Sequence, residues 1–276
     1  MPKSLFLIAF WLLSWTASAD TEPTFASATI KTSVSLSPHI TELVYSAGGQ
    51  DGLLGVSAYS DYPASVADKT VIGDAFHLNT ELLAQLQPEV VFYWAGGTPQ
   101  QTVEKLKSMQ LNVHAVTINE LHDIARAIQD IADTLGTQPT ADLEHFATRL
   151  QALQNQTWSK QSALIQISDQ PIYTVNGDHW MSEAIAVCGL NNVFADLATK
   201  SAAVTLESVV LKKPEVIVRT QAMNEHSPVA QWAEIPAIKN QRIAVLEADH
   251  FTRPTLRLLL AIEHLCQQVA AYERVN

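Results

Sequence analysis

Positive charge is scarce in this chain: 17 lysines and arginines face 28 aspartates and glutamates, a formal net charge of −11 at pH 7. That balance disfavours nucleic acid and anionic membrane surfaces as partners and favours a basic protein surface. Cysteine is scarcer still, with only Cys188 and Cys266. Past the first residues no apolar run is long enough to cross a bilayer, and there is no Gly/Ser-rich linker or low-complexity stretch. Enzyme signatures are missing as well: no G-x-S-x-G elbow, no phosphate-binding glycine loop, no metalloprotease helix. Gly177-Asp178-His179 and Glu247-Ala248-Asp249-His250 carry acid–base groups, but with no nucleophile at a recognisable turn they read as polar loop residues.

What is present begins with an export signal. Lys3 precedes the apolar run Leu5 to Trp15, and Ala17-Ser18-Ala19 is a small-x-small cleavage site, so residues 1–19 read as a secretory signal peptide. Asp20, not a cysteine, stands immediately after the cleavage site, which argues against a lipid anchor. In an exported chain one cysteine pair is expected to be a disulfide, worth about 4.5 kcal/mol in the chain-entropy model, with two buried thiols as the alternative. Cys188 follows the apolar segment Met181 to Val187, and Cys266 lies within Leu256 to Ala271, so the bridge would tie two helices together.

One pattern is written twice. Glu81 is followed by six residues and then Pro88-Glu89-Val90-Val91; Glu207 is followed by six residues and then Pro214-Glu215-Val216-Ile217. Each copy reads as a short helix, with Thr80 or Thr205 near its start, that Pro ends ahead of a buried strand. A second correspondence pairs Glu42 and Gly48 with Glu183 and Gly189, each glycine closing an apolar segment. Two similar lobes follow from this repeat. Candidate strands at residues 32–36, 53–56, 70–72, 89–94 and 112–116, then 163–167, 215–219 and 242–246, alternate with helical stretches at 40–47, 101–109, 181–187 and 256–271. The expected fold is α/β, two lobes with largely parallel sheets. Between them, residues 119–135 and 141–158 read as helices, the second long enough at about 27 Å to bridge the lobes rigidly. The organisation expected is a signal peptide at 1–19, an N-terminal lobe at 20–138, a connecting helix at 139–158 and a C-terminal lobe at 159–276.

These residues carry a family likeness. The chain resembles the periplasmic substrate-binding proteins whose lobes are joined by one long helix, and within them the vitamin B12 (cobalamin) receptors of ABC importers. The likeness runs through Ser35-Leu36-Ser37-Pro38, Thr41-Glu42-Leu43, Gly55 to Pro63 with its Tyr59-Ser60-Asp61-Tyr62-Pro63 element, Trp94-Ala95-Gly96-Gly97, Val187-Cys188-Gly189 and Asp249 to Arg253. It implies a periplasmic location and no enzymatic activity or cofactor. Vitamin B12 would be the ligand, and the partners a permease dimer with its cytoplasmic ATPase, the receptor being monomeric when free. It also implies ligand contacts from Tyr59, Trp94 and the segment Asp249, His250, Phe251, Thr252 and Arg253, with Tyr173 a further contact and Phe251 available for stacking. A wide corrin disc bearing amides calls for such aromatic surfaces and polar groups from both lobes. Glu81 and Glu207 would dock onto arginines of the two permease subunits. Two tryptophans of the family pattern are missing: Phe76 stands one position off the first, near Ala75, and nothing replaces the second near Ser201.

Rival readings share the fold. An iron–siderophore or haem receptor would call for basic residues in the cleft, and few candidates exist beyond Arg219 and Arg253. A Zn or Mn receptor would draw on His39, His77, Asp249 and His250. A periplasmic hydrolase would turn over what a receptor only holds.

Overall fold

The structure, a computed structural model, describes residues 29–74, 77–223 and 226–274. The signal segment, Ala75 and Phe76 lie outside the described residues. The first lobe runs β1 (Ser33–Ser35), α1 (Pro38–Ser46), β2 (Leu53–Val56), β3 (Thr70–Val71), α2 (Thr80–Leu86), β4 (Val90–Trp94), α3 (Gln100–Ser108), β5 (Val113–Val116) and α4 (His122–Leu135). Helix α5 (Asp142–Gln154) follows. The second lobe runs β6 (Gln161–Gln166), β7 (Ser168–Asp169), β8 (Ile172–Val175), α6 (Trp180–Ala186), β9 (Leu190–Asn192), β10 (Ser201–Val204), α7 (Leu206–Lys212), β11 (Val216–Arg219), α8 (Pro236–Lys239), β12 (Ile243–Val245), α9 (Ala248–Thr252) and α10 (Leu258–Arg274).

The first sheet has the order β3-β2-β1-β4-β5 with every pair parallel. The second has β12-β11-β6-β9, again parallel, so the strand order reverses between β1 and β4 in one lobe and between β6 and β11 in the other. Such a reversal opens a crevice at the carboxyl ends of the two strands, and there these sheets present their loops. An antiparallel set, β10-β8-β7, extends the second lobe. Sequence pattern does not predict it, because β7 and β10 are short and partly exposed and lack a clean apolar alternation.

The repeat is explained atom by atom. Glu89 accepts from the Thr32 backbone N–H at 2.7 Å, and Glu215 accepts from the Ser162 N–H at 2.7 Å and from its hydroxyl at 2.9 Å. Each Pro-Glu-Val thus ties the strand that follows it to the first strand of its own lobe. The preceding helices also match: both end on a left-handed residue, Gln87 at φ 46° and Lys213 at φ 48°, ahead of the prolines. Thr205 caps α7 as its position predicts, but α2 is capped by Asn79, and Thr80 is its first helical residue.

Helix α5 carries the connection. It ends at Gln154, four residues short of the sequence reading, and its 13 residues span about 20 Å. The segments that flank it rest on the glycines of the second repeat. Gly48 (φ +75°) lies so close to the Gln138 carbonyl oxygen that a Cβ would stand 2.5 Å from it, and Gly189 (φ +79°) leaves the same 2.5 Å to Trp158 Cβ. One buried cluster passes from Ile40, Val44 and Ile128 through Phe146, Leu150 and Leu153 to Ile262 and Leu265, so the lobes share a core. The outer faces of the sheets pack separately, with Val91 and Leu83 on one and Ile217 and Val209 on the other, as strand alternation requires. Cys188 and Cys266, both buried, form a disulfide between the end of α6 and α10.

Candidate functional site

The first lobe's crevice is built where β1 and β4 end. After β1 the chain turns through Leu36-Ser37 into α1, whose first turn holds Pro38 and His39; after β4 it turns back at Trp94-Ala95-Gly96-Gly97. The turn has room for the indole only because it lacks side chains: a Cβ at Gly97 would stand 2.1 Å from the Trp94 ring. A cavity of about 370 Å³ results, lined by Leu36, Pro38, His39, Tyr59, Trp94 and Thr98 among others. Tyr59 is held at φ +65° and is 81% exposed, an uncommon backbone state that presents a bare aromatic ring at the mouth. His39 meets Trp94 edge-on at 5.2 Å. Its pKa is lowered to about 3, by burial first and by the nearby Arg253 second, so the imidazole is neutral.

Trp94 also lines a second cavity of about 290 Å³, whose other wall is Asp178, His179, Trp180, Lys200 and Ser201 of the second lobe. This indole therefore stands between a first-lobe pocket and the gap between lobes. His179 accepts from the Met181 N–H at 3.2 Å and caps α6, and its pKa is lowered to about 4 by burial and then by Lys200. Ser201, where the family pattern expects tryptophan, leaves only a small side chain on that wall. A cavity of about 420 Å³ lies elsewhere, around Trp158 and Gln154 at the far end of α5. It is the larger space, but it has neither exposed aromatic rings nor a position at the strand ends, so we place the site at the two cavities that share Trp94.

Opposite Tyr59 the second lobe contributes arginines. Arg253 donates to Asp61 Oδ1 at 2.6 Å, to Glu42 Oε1 at 3.1 Å and to the Tyr59 carbonyl at 3.3 Å, and pairs with Asp249 at 2.9 Å. Burial opposes its charge, yet the bonds to Asp61 and Glu42 outweigh that and raise its pKa; the same guanidinium lowers that of Asp61. Arg257 makes a two-point bond to Glu42 at 2.5 and 2.9 Å and stacks 4.2 Å from the Tyr62 ring centre. Glu42 is 3% exposed, a carboxylate buried between two cations of the other lobe.

The residues predicted from sequence divide accordingly. Tyr59 and Trp94 line the two cavities; Arg253 lines neither but reaches the Tyr59 carbonyl, and Asp249 pairs with Arg253. His250 is half-buried beside Glu247, whose side chain caps α9, and Thr252 is exposed with its hydroxyl on the Ala248 carbonyl. Phe251 is a correction: it is 2% exposed and packed in the shared core, so it has no face to stack on a ligand. The segment is a helical turn, which aims Phe251 inward. Tyr173, half-buried on β8, lines neither cavity. Arg219 is buried and bonded to Asp169 at 2.9 Å. The residues of the metal alternative do not converge: His39 is buried against Trp94, Asp249 pairs with Arg253, His77 lies 3.4 Å from Asp74 and His250 3.7 Å from Glu247. Among the described residues no three such ligands meet. Glu42, Asp61, Tyr62 and Arg257 escaped the sequence reading as cleft residues; Glu42, Asp61 and Tyr62 lie in segments that carry the family likeness, and Glu42 in the Glu42/Glu183 repeat, but these give position without partner.

Residues 34–250 match the family described as periplasmic binding protein. A vitamin B12-binding protein of Vibrio parahaemolyticus is 34% identical over 258 residues, covering 91% of this chain and 94% of the relative. One of Yersinia pseudotuberculosis is 32% identical over 276 residues, covering 98% and 96%. Among solved structures, a periplasmic vitamin B12-binding protein of Vibrio cholerae superposes with a TM-score of 0.79 at 30% identity, covering 89% of this chain and 99% of that one. A periplasmic haem-binding protein holding two haems superposes at 0.76 with 18% identity, a likeness of fold alone.

Proposed function

The chain belongs to the periplasmic binding protein family, and from that premise we propose that it binds vitamin B12 between its lobes and delivers it to the permease of an ABC importer. The observation that carries the ligand is Trp94, exposed between a first-lobe pocket and an interlobe gap, with Tyr59 bare beside it. A flat corrin needs such rings, and its amides need polar rather than strongly charged partners. The pairing of the arginines favours this ligand over haem or a ferric siderophore. Arg253 and Arg257 are neutralised by Glu42, Asp61 and Asp249, and Arg219 by Asp169, so none offers an uncommitted cation to a carboxylate-bearing ligand.

The protein acts as a receptor and not as an enzyme: it holds the ligand and releases it unchanged. We assign it to the periplasm after removal of residues 1–19, monomeric when free, with residues 20–138 and 159–276 as lobes and 139–158 as the connection. Glu81 and Glu207, exposed in the first turns of the matching helices α2 and α7, are assigned to the two permease subunits, which work with a cytoplasmic ATPase. Thermal unfolding tests the ligand. Vitamin B12 at a hundredfold above its dissociation constant should add about 2.7 kcal/mol of stability and raise the melting temperature, while haem, ferric siderophores and Zn²⁺ should not. A shift with one of these and none with vitamin B12 would replace the reading.

A further inference from the structure

The second repeat of the sequence, Glu42 with Gly48 and Glu183 with Gly189, has a use at its glutamates that the ligand site does not account for. Both lie in the first helix of their own lobe, α1 and α6, and both reach the other lobe. Glu42 binds Arg257, the residue immediately before α10, and Arg253 a turn earlier. Glu183 accepts at 2.6 Å from the backbone N–H of Leu121, the residue immediately before α4. Helices α4 and α10 are the last of their lobes' repeated units, so the two contacts are related by the same pseudo-twofold that relates the lobes. Lys200 of the second lobe donates to Asn119 beside the Glu183 contact, closing that side further.

We propose that Glu42 and Glu183 are paired positioning residues, one per lobe, that pin each lobe to the start of the other's last helix and so fix the width and lining of the ligand cleft. The two pins differ in chemistry as they must, because only the Glu42 side borders the exposed tyrosines. There the carboxylate holds two guanidiniums, and these hold the segment from Tyr59 to Tyr62: Arg253 through the Tyr59 carbonyl and Asp61, Arg257 by stacking on Tyr62. Removing the buried charge leaves the arginines without their shared acceptor, which is more costly than losing an exposed pair. With the segments flanking α5 seated on Gly48 and Gly189, the pins give each lobe two fixed points on the other, and opening the cleft requires breaking one of them.

The influence on ligand affinity rests on the vitamin B12 reading; the influence on cleft width does not. Spin labels on the exposed Lys107 and Lys239, one per lobe, report the interlobe distance in ligand-free protein. The wild type should give one narrow distribution, Glu42→Gln a broader one, and Glu42→Gln with Glu183→Gln the broadest, with secondary structure and the disulfide retained. Glu42→Gln should weaken vitamin B12 binding about tenfold. Arg257→Lys keeps the charge but loses the two-point bond and the stacking; it should reproduce the broadening and serves if Glu42→Gln does not fold. A wild-type distribution in the double variant, or in Arg257→Lys where Glu42→Gln fails to fold, would overturn the pins. A wild type that binds no vitamin B12 would overturn the ligand assignment and leave the distances to decide the pins.

Discussion

His39 shows how one buried side chain makes folding sense of a cleft. It is 7% exposed, its Nδ1 lies 3.3 Å from the Ser37 hydroxyl, and its Nε2 has no hydrogen-bond partner in the structure. The ring can be neutral there but not charged, hence a pKa lowered to about 3. As pH falls from about 6.5 towards that value, the unfolded chain takes up a proton that the folded chain refuses, so stability falls with acidification. Over the window from about pH 6.5 to 4.5 this residue should account for about 2 kcal/mol of lost stability. His39→Gln should lose that much less than the wild type in urea unfolding across the window, His179 and the paired carboxylates contributing equally to both. Equal losses in the two proteins would mean that His39 is not held neutral by its site.

At the scale of elements, the glycines that seat the two segments flanking α5 are exacting positions. Gly48 and Gly189 combine left-handed backbone with a neighbour that a Cβ would strike, whereas Gly136 at φ +75° has nothing within 4 Å. Gly136→Ala should therefore cost about 1 kcal/mol, from backbone strain alone, and Gly48→Ala or Gly189→Ala about 2 kcal/mol or more. Urea unfolding of the three variants checks the order; a Gly48→Ala protein as stable as Gly136→Ala would remove the close seating. Much at this scale was legible in the sequence because it is local. The parallel strands show as β-branched runs, and Glu81, Pro88 and Glu89 recur at the same spacing in the second lobe. What escaped depends on distant partners. Phe251 looked like a ligand contact because sequence cannot say which way a helical turn faces, and Arg257 carries no pattern that announces Glu42, 215 residues away.

For the whole molecule, the lobes are joined by a common core, by α5 and by contacts across the cleft, so the cleft is largely set before a ligand arrives. The duplicated surface follows the same pseudo-twofold. Glu81 and Glu207 stand exposed in equivalent first turns, and the carboxyl of Glu207 is held below its usual pKa by its own backbone N–H and then by Thr205. Neither makes an ion pair among the described residues. Glu81→Ala with Glu207→Ala should leave vitamin B12 binding nearly intact, weaken association with the permease and cut uptake by cells several-fold at matched receptor abundance. Uptake at the wild-type rate would return both residues to ordinary surface charges.

The account stands on the identity of what the cleft holds, and equilibrium dialysis of the purified mature protein against vitamin B12 tests that most directly. It should retain one equivalent per chain, lose that retention when Trp94 and Tyr59 are both replaced by Ala, and release the vitamin chemically unchanged on denaturation. Retention that is absent, or that persists undiminished in the double variant, would contradict it.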